Sequence, residues 1–492
     1  MSYILALDVG TTALKIGVFG RDLRLRSLRR AAYGLSFPKP LWAEASPELW
    51  WKLILRELPL AIRQAKIRPA QIDAIGISTL CPAMVAMDSS GEPLNDAIIY
   101  LDQRSVAQAK EIGQIVTPAA MAKITGNRMA SGTISLPGML WLKRHKPAIY
   151  RRSAMFGHAN TFLCHKLTGQ FGMDWTNASF TGLFDIRKRQ WSAKLCAALG
   201  VDLAKLPPIL APSDVVGGVM ERVSRITGIR AGVPVVMGAA DTACAALAVG
   251  VTENGQGFAS SGGSEVITAC TDDPHFNPAF LNRCHVVPQR WLSHGTVSTA
   301  GSAVEWFKSL LGTGSYEEMI ARITRSPDGA NGVIFLPYLM GERPPIWNSH
   351  LRGAFLGLTP SVTADDMTRA VAEGVGYALR QIITAMEADG KVRLRKLTLV
   401  GSGARNKAWA QIKADITGRA LALSPIEEAA LLGSGMLAAV GSGLYPSYAR
   451  VLAALAKPKC KTLRPRKIKQ HERNYAAFRA GLTLAAGISS PR

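Results

Sequence analysis

Residues 4–18 form two short apolar runs separated by a polar turn. The turn carries Asp8, Gly10, Thr11 and Thr12. Apolar runs that flank such a turn predict a β-hairpin, whose tip can bind an anion through backbone N–H groups and Thr hydroxyls. If the bound anion is a phosphate, Asp8 is the candidate ligand for its magnesium ion. In the alternative interpretation, Asp8 and Thr11 only satisfy the backbone of the turn.

Strand-like and helix-like runs alternate along most of the chain, which is typical of an α/β fold. The predicted strands include residues 72–78, 83–87, 233–237 and 397–400. The predicted helices include residues 46–64, 135–144, 161–167, 241–249 and 364–388, and a helix that begins at Asn406. Ser46 precedes Pro47 and Glu48 and is the predicted N-cap of the first of these helices.

A second hairpin rich in Gly and Ser begins near residue 257. Residues 257–260 lead into the turn 261–264 and a strand from Val266, in the same outline as the first hairpin. Two similar α/β halves predict a cleft that receives a nucleotide. With 492 residues, we expect two domains, residues 1–250 and 251–456, followed by a basic tail with a terminal helix, residues 457–492.

The chain has a formal net charge of +23, and much of the excess lies in residues 21–30 and 457–473. Neither cluster is interleaved with the aromatic residues that stack on bases. We therefore interpret both as solvated basic faces, and predict no nucleic-acid partner. Attraction of anionic substrates and weak adhesion to nucleic acid stay open as alternatives.

The seven cysteines are scattered without metal-ligand spacing, which favours reduced, mostly buried thiols. No apolar run reaches the roughly 20 residues of a membrane-spanning helix, and the chain starts on a strand-like run rather than a signal segment. We expect a soluble, cytoplasmic protein with no membrane partner, for which a homodimer is compatible with the sequence.

Several motifs, taken together and in order, resemble those of the FGGY carbohydrate kinases, and within that family the xylulokinases. They lie at residues 8–15, 40–51, 238–241, 337–343, 353–373 and 401–404. The resemblance covers essentially the whole chain. It implies an α/β fold of two ribonuclease-H-like (actin-like ATPase) domains with a cleft between them, in which the first domain binds the sugar and the second binds ATP.

The resemblance also implies a role for each motif residue. Asp241 is the catalytic base that accepts the proton of the sugar hydroxyl. Asp8 coordinates Mg²⁺, and Thr11, Thr12 and the backbone around Gly10 contact the transferred phosphate. Lys15 either joins them or is an outward-facing strand residue. The residues implied on the nucleotide side are Gly262, Gly263 and Ser264 for the phosphates and Gly301, Gly401, Ser402, Gly403 and Asn406 for adenosine.

The predicted sugar-binding residues depart from the xylulokinase pattern. Leu80, Cys81 and Pro82 replace a Gln-Met-His run, and Thr242 replaces the Asn that follows the base. Asp102 and Arg104 are retained and are expected to reach sugar hydroxyls or to shape the pocket. The remaining predicted substrate-binding residues are Cys81, Pro82 and Thr242. Their side chains predict fewer hydrogen bonds to a xylulose-like substrate than the xylulokinase pattern would provide.

The function predicted from these residues is ATP-dependent phosphorylation of a small sugar or polyol, with a ketopentose as the first candidate substrate. One alternative changes the substrate to another ketose, a tetritol or an aldonate such as gluconate. A second alternative is a catalytically weak, actin-like regulatory protein that binds nucleotide. Retention of Asp241 argues against the second alternative, because binding alone needs no base.

Overall fold

The computed structural model describes residues 2–312, 314–388, 392–455 and 460–488. In the first half, the strands are β1 (Tyr3–Val9), β2 (Ala13–Gly20), β3 (Leu25–Ala32), β4 (Glu44–Ala45), β5 (Ile72–Thr79), β6 (Ala83–Met87), β7 (Ala97–Ile99), β8 (Met155–His158), β9 (Met173–Asp174), β10 (Phe184–Asp185), β11 (Gln190–Trp191), β12 (Ile209–Leu210), β13 (Val215–Gly218), β14 (Pro234–Val236) and β15 (Ala239–Ala240). Its helices are α1 (Pro47–Gln64), α2 (Val106–Ile115), α3 (Pro118–Thr125), α4 (Ser135–His145), α5 (Pro147–Arg152), α6 (Ala159–Thr168), α7 (Trp175–Ala178), α8 (Ala193–Ala198), α9 (Glu221–Thr227) and α10 (Asp241–Ala248).

The second half follows the same alternation of strands and helices. Its strands are β16 (Gln256–Ser261), β17 (Glu265–Thr271), β18 (Leu281–Cys284), β19 (Trp291–Val297), β20 (Ile334–Leu336), β21 (Ala354–Leu356), β22 (Lys396–Gly401), β23 (Ala420–Leu423) and β24 (Lys461–Leu463). Its helices are α11 (Gly301–Leu310), α12 (Tyr316–Arg325), α13 (Ala364–Glu387), α14 (Lys407–Thr417), α15 (Ala429–Gly441), α16 (Tyr448–Ala454) and α17 (Lys469–Ile488).

Each half is built on a sheet in which a hairpin pairs with a parallel strand. In the first half the order is β13-β14-β5-β1-β2-β3, and β15 also pairs with β5. In the second half the order is β18-β19-β17-β16-β22-β23-β24. The hairpins β1–β2 and β16–β17 are antiparallel, whereas β1–β5 and β16–β22 are parallel. The predicted α/β architecture of two similar halves is confirmed.

Local sequence signals account for the predicted elements. The Ser46 side chain caps α1 by accepting a hydrogen bond from the Leu49 N–H. The predicted strand at 233–237 is shorter in the structure because Gly238 adopts a φ of +74° and separates β14 from β15. An ideal Cβ at Gly238 would lie 2.0 Å from the Ile77 carbonyl oxygen, so only glycine fits there.

A core of small and apolar residues joins the two halves. Helix α10 of the first half packs on α15 of the second, and α15 also packs on β1 and β5. The approach is close: an ideal Cβ at Gly433 would lie 2.0 Å from the Cys244 carbonyl oxygen, and one at Gly76 would lie 2.0 Å from the Ser434 carbonyl oxygen. This contact fixes the sheet edges of both halves next to the same cleft.

The predicted basic tail is integrated into the second half where it is described. Strand β24 extends the sheet beside β23, and Phe478 of α17 is buried in the second-half core. Arg466 is ion-paired with Asp415. Lys457 and Lys459 lie outside the described residues.

The basic segment 21–30 forms a turn and the edge strand β3, and several of its arginines pair with acidic residues. Arg29 pairs with Glu57 and Arg26 pairs with Asp22. These ion pairs favour the interpretation as a solvated face. Within the described ranges, no helix has both the length and the apolar character needed to cross a bilayer.

Candidate active site

The register of the first sheet brings Asp8 and Asp241 to one edge. Asp8 lies opposite Ser78 of β5 in the parallel β1–β5 pair, and Ala239 lies opposite the same residue in the β15–β5 pair. Asp241 follows β15 directly as the first residue of α10. Because the carboxyl ends of parallel strands meet at one edge, both carboxylates face the cleft.

Asp8 is buried and held by two donors. The Ser78 hydroxyl donates to Oδ1 at 2.8 Å, and the Lys15 ammonium lies 3.1 Å from Oδ2. Burial raises the pKa of Asp8, the Lys15 charge opposes that shift, and the Asp241 carboxylate adds to it. Asp8 therefore experiences the charge of Asp241, as expected of two carboxylates in one site.

Lys15 is neither alone nor directed outwards into solvent. Its ammonium lies 3.1 Å from Asp8 Oδ2 and 3.0 Å from Glu428 Oε2, and Glu428 precedes α15 of the second half. Burial lowers the pKa of Lys15, but the two carboxylates outweigh burial and the pKa is raised. The outward-facing interpretation is wrong, because the β1–β2 register places Lys15 directly opposite Asp8.

The hairpin tip offers fewer backbone donors than the sequence predicts. The Gly10 N–H donates to the Ala13 carbonyl at 3.0 Å, and the Tyr33 hydroxyl donates to the Gly10 carbonyl. The Thr11 hydroxyl lies 3.3 Å from the Tyr100 hydroxyl, while Thr12 is exposed. The Gly10 N–H is therefore used within the turn, and the Thr11 and Thr12 groups are the donors left for a phosphate.

Asp241 presents one carboxylate oxygen to the cleft. Its Oδ1 accepts hydrogen bonds from the Thr242 N–H at 2.6 Å and the Thr242 hydroxyl at 3.0 Å. Within the described residues, no protein donor reaches Oδ2. The N–H of Ala240 donates to the Thr176 hydroxyl at 2.9 Å and anchors the loop. Asp241 thus has an oriented carboxylate with an oxygen available to accept a proton.

The predicted sugar loop contacts a neutral histidine. The Cys81 thiol lies 3.9 Å from His158 Nδ1, and His158 Nε2 lies 2.7 Å from the Ser135 hydroxyl. Burial lowers the pKa of His158 to about 4, and burial raises the pKa of Cys81 to about 12. Both groups are uncharged near neutral pH. Pro82, next in the loop, is buried.

Asp102 and Arg104 are engaged mainly with each other and with other protein groups. Asp102 Oδ2 accepts from the Ala43 N–H at 2.7 Å, and the Arg104 guanidinium pairs with both Asp102 and Glu44. The Arg104 guanidinium carbon also lies 3.8 Å from the ring centre of Trp42. Of the two predicted roles, the structure favours shaping the pocket over contact with sugar hydroxyls.

The second half contains a cleft of ≈ 990 Å³ at the carboxyl ends of β16 and β22. It brings together most of the predicted nucleotide residues, namely Gly262, Gly263, Gly301, Ser402, Gly403 and Asn406. Gly401 and Ser264 support its wall: Gly401 pairs with Ser261 in the sheet, and the Ser264 carbonyl accepts from the Gly262 N–H at 2.9 Å. Parallel pairing of β16 with β22 is what brings residues so far apart in sequence into one cleft.

Asn406 lines this cleft and caps the helix that begins beside it. Its Oδ1 caps α14 by accepting from the Trp409 N–H at 3.1 Å. Its Nδ2 is buried beside the Tyr316 side chain, and hydrogen bonding from Asn406 opposes the burial-driven rise in the pKa of Tyr316. Tyr316 and Glu305 also line the cleft and were not predicted. No short motif marks them, because they reach the cleft only through the packing of α11 and α12.

Three further residues at the site were not predicted from sequence: His158, Arg283 and Glu428. Arg283 lies in the buried strand β18, and its side chain is 3% exposed. An arginine inside an otherwise buried strand is a signal that sequence inspection could have used. His158 and Glu428 carry no such signal, because only tertiary packing places them near Cys81 and Lys15.

Comparison with known proteins connects this geometry to a family. Residues 3–248 match the N-terminal domain of the FGGY family of carbohydrate kinases, and residues 257–442 match its C-terminal domain. The chain belongs to this family. The kinase is 32% identical to the xylulose kinase of Escherichia coli (strain K12) over 85% of each chain. It is 30% identical to the xylulose kinase of Lactococcus lactis subsp. lactis (strain IL1403), over 97% of this chain and 96% of that protein.

Solved structures agree with the family assignment. The FGGY kinase superposes on the xylulose kinase of Rhodospirillum rubrum with a TM-score of 0.90 at 27% identity, over 99% of each chain. The predicted actin-like fold, the enzyme class and the ATP-dependent phosphorylation of a small sugar or polyol are confirmed.

Proposed function

We propose that this FGGY kinase transfers the γ-phosphoryl group of ATP directly to a hydroxyl of an open-chain ketopentose or similar polyol, with Asp241 as the base. The observation that carries the proposal is the placement of Asp8 and Asp241 at one sheet edge, with Asp241 Oδ2 unengaged. The xylulose kinases that resemble the chain support a ketopentose as the first acceptor to test.

A single in-line step accounts for the chemistry. The acceptor oxygen bonds to the γ-phosphorus as the bond to the bridging oxygen breaks, and ADP leaves with that electron pair. The acceptor proton passes to Asp241, since a neutral hydroxyl is a poor nucleophile. Thr242 orients the carboxylate through its N–H and hydroxyl. Closure of the cleft would exclude water as a competing acceptor.

The residues at the sheet edge fit a magnesium ion. Mg²⁺ is usually held by one or two carboxylates together with substrate phosphates and waters. Asp8, with Asp241 beside it, supplies that donor set, whereas no group of three potential His, Cys, Asp or Glu ligands occurs within the described ranges. When bound, the ion would neutralise charge on the phosphates. Thr11, Thr12 and Lys15 would contact the transferred phosphoryl group from the protein side.

The second-half cleft would hold the nucleotide. Gly262, Gly263 and Ser264 would follow the phosphates, and Asn406, which lines the same cleft, would lie beside the base or ribose. Gly301 and Gly403 allow close approach of the chain, because a Cβ at either position would collide with the β16 loop. We place the boundary between the sugar and nucleotide domains near residue 250, after α10.

Asp241→Asn tests the proposal directly. Sugar-dependent ADP formation should fall by about 10² to 10⁴-fold, because only the proton acceptor is lost. Nucleotide affinity, measured by titration calorimetry, should stay within a few-fold of the parent value. Asp185→Asn, at the end of the short hairpin strand β10 in the same half, is the matched control and should keep full turnover. Turnover of Asp241→Asn within a few-fold of the parent would refute the assignment.

A further inference from the structure

Arg283 of the second half projects towards the acceptor side of the first half. Strand β18, which carries it, is docked on the first half by two contacts. The Cys284 N–H donates to the Ser179 hydroxyl at 3.0 Å, and the Asn282 N–H donates to Asn127 Oδ1 at 2.8 Å. The Arg283 guanidinium carbon lies 3.9 Å from the ring centre of Phe180.

The Arg283 guanidinium is buried without a counter-ion. Its side chain is 3% exposed, and its Nε and Nη1 have no hydrogen-bond partner among the described residues. No carboxylate in that part of the chain forms an ion pair with it. A buried cation is costly unless a partner compensates it, so the geometry calls for an anion from outside the protein.

The groups around Arg283 do not supply that anion. Its charge opposes the burial-driven rise in the pKa of Cys81 and adds to the lowering of the pKa of His158, which places the guanidinium beside the sugar loop. Both neighbours are neutral. Two carboxylates, Asp174 and Asp241, act on the same Cys81 thiol as Arg283. Asp174 is committed to the side chains of Asn160, Asn177 and Thr176, and Asp241 holds Thr242 through Oδ1. Within the described residues, neither carboxylate forms an ion pair with Arg283.

A second unsatisfied group lies on the same aromatic ring. His294 is buried and its ring centre lies 6.4 Å from that of Phe180. Its Nδ1 lies 2.9 Å from the Thr268 hydroxyl, and its buried Nε2 has no partner among the described residues. His294 is thus a second unsatisfied polar group near Arg283, whose charge adds to the burial-driven lowering of the pKa of His294.

We propose that the acceptor of this kinase is a polyhydroxy acid whose carboxylate pairs with Arg283 while a hydroxyl further along its chain meets Asp241. An unpartnered guanidinium N–H donates a strong, charge-assisted hydrogen bond to a carboxylate. The inference rests on the proposed phosphoryl transfer with Asp241 as the base, and it replaces the ketopentose by a sugar acid as the first acceptor to test. Leu80, Cys81 and Pro82 agree with it, because their side chains offer little hydrogen bonding to a neutral sugar.

The parent enzyme provides the first test and needs no variant. We compare kcat/KM for ADP formation with D-gluconate against sorbitol, and with D-xylonate against xylitol, since each pair differs by a carboxylate in place of a terminal hydroxymethyl group. D-Xylulose is included as a neutral ketose. The best acid should exceed its matched polyol and D-xylulose by at least roughly 10-fold. A neutral acceptor that equals or exceeds the acids overturns the inference.

Arg283→Met provides the second test. Loss of the charged hydrogen bonds should lower kcat/KM for the best acid by roughly 10- to 100-fold, mainly through KM, and should change kcat/KM for the matched polyol by less than about threefold. Arg283→Lys should retain part of the preference. Arg187→Met removes an exposed arginine stacked near Phe276 and should change neither value. Equal losses for acid and polyol in Arg283→Met would indicate a structural role and overturn the inference.

Asp241→Asn separates this inference from the proposed function. The variant should still bind the best acid in titration calorimetry, and Asp241→Asn combined with Arg283→Met should not. Retained turnover in Asp241→Asn with intact acid preference would contradict the base assignment alone. The opposite result would contradict the acid proposal alone. In that case Asp241→Asn loses turnover, but the acid binds equally well whether or not Arg283→Met is also present.

Discussion

At the scale of single residues, the site depends on charges held in defined pairs. Asp8 is buried between the Ser78 hydroxyl and the Lys15 ammonium, and Lys15 is shared with Glu428 of the other half. Arg283 is the exception, because it is buried without a carboxylate partner in the described part of the chain. The paired charges hold the reacting groups in place, whereas the unpaired Arg283 guanidinium is the group that we propose to bind a ligand.

Asp8→Ala should strongly lower turnover, because the magnesium ion that Asp8 is proposed to hold would lose its protein anchor. We expect kcat to fall by at least about 10²-fold at limiting Mg²⁺, with partial recovery at high Mg²⁺ or Mn²⁺. Asp22→Ala, which removes an exposed carboxylate paired with Arg26, is the control and should be silent. Unchanged turnover of Asp8→Ala at limiting Mg²⁺ would return Asp8 to the role of a turn residue.

Buried histidines should make the enzyme sensitive to acid. Burial lowers the pKa of both His158 and His285 to about 4, compared with 6.5 in an unfolded chain. Between these values the unfolded state binds protons that the native state does not, so stability falls as the pH falls from 6.5 towards 4. Each histidine should cost about 2 kcal/mol of unfolding free energy between pH 7 and pH 5.

Urea unfolding of the parent and of His285→Gln at pH 7 and pH 5 measures this contribution. Because Gln cannot titrate, the free energy of unfolding of the variant should fall by about 2 kcal/mol less than that of the parent between pH 7 and pH 5. This holds even if the variant is less stable than the parent at pH 7. His275→Gln, at an exposed histidine paired with Asp273, is the comparison. If the free energy of unfolding had the same pH dependence in the parent and in His285→Gln, the lowered pKa of His285 would be contradicted.

At the scale of elements, the cleft that we propose for the nucleotide depends on parallel pairing of β16 and β22. Gly401 ends β22 with a φ of +83°, and an ideal Cβ there would lie 2.5 Å from the Ser261 carbonyl oxygen. The close approach of the two strand ends lets the loops after them line one wall.

Gly401→Ala should raise KM for ATP by roughly 10-fold and destabilise the protein by about 1–3 kcal/mol, because the new Cβ strains the backbone and displaces the β16 loop. Gly443→Ala is the matched control. Gly443 also has a positive φ, of +76°, but no atom of the described residues lies within 4 Å of its ideal Cβ. The control should lose some stability and keep its KM for ATP. Equal KM values in the two variants would contradict the prediction.

At the scale of the whole molecule, helices α10 and α15 join the halves through small residues. Their contact carries Asp241 on one side of the cleft and positions Glu428, just before α15, beside Lys15. The relation between the sugar and nucleotide sides therefore depends on this helix pair.

Gly433→Ala should destabilise the protein by about 1–3 kcal/mol, because its Cβ has no room beside the Cys244 carbonyl. Sugar-dependent ADP formation should fall with it, since the helix pair also positions the site. Gly113→Ala in α2 is the control. No described atom lies within 4 Å of its Cβ, so it should gain about 0.5–1 kcal/mol. Urea unfolding gives both values, and equal changes in the two variants would refute the argument.

The sequence by itself determined the α/β class, the two hairpins and the bounds of α1 and β6, and it pointed to Asp8 and Asp241 as the candidate central carboxylates. These features depend on local patterns: apolar periodicity, a capping Ser46, and short motifs at Asp8 and Asp241. These features can be predicted because each depends on residues that are close together in the sequence.

Only the tertiary structure decided which groups meet across the cleft. Lys15 pairs with Glu428 more than 400 positions away in the chain, and Arg283 comes to lie beside Cys81 because β18 docks on the other half. Asp102 and Arg104 occur in a family motif, yet their hydrogen bonds to the protein are visible only in the fold. Such contacts depend on sheet register and on packing between the halves, which no local pattern encodes.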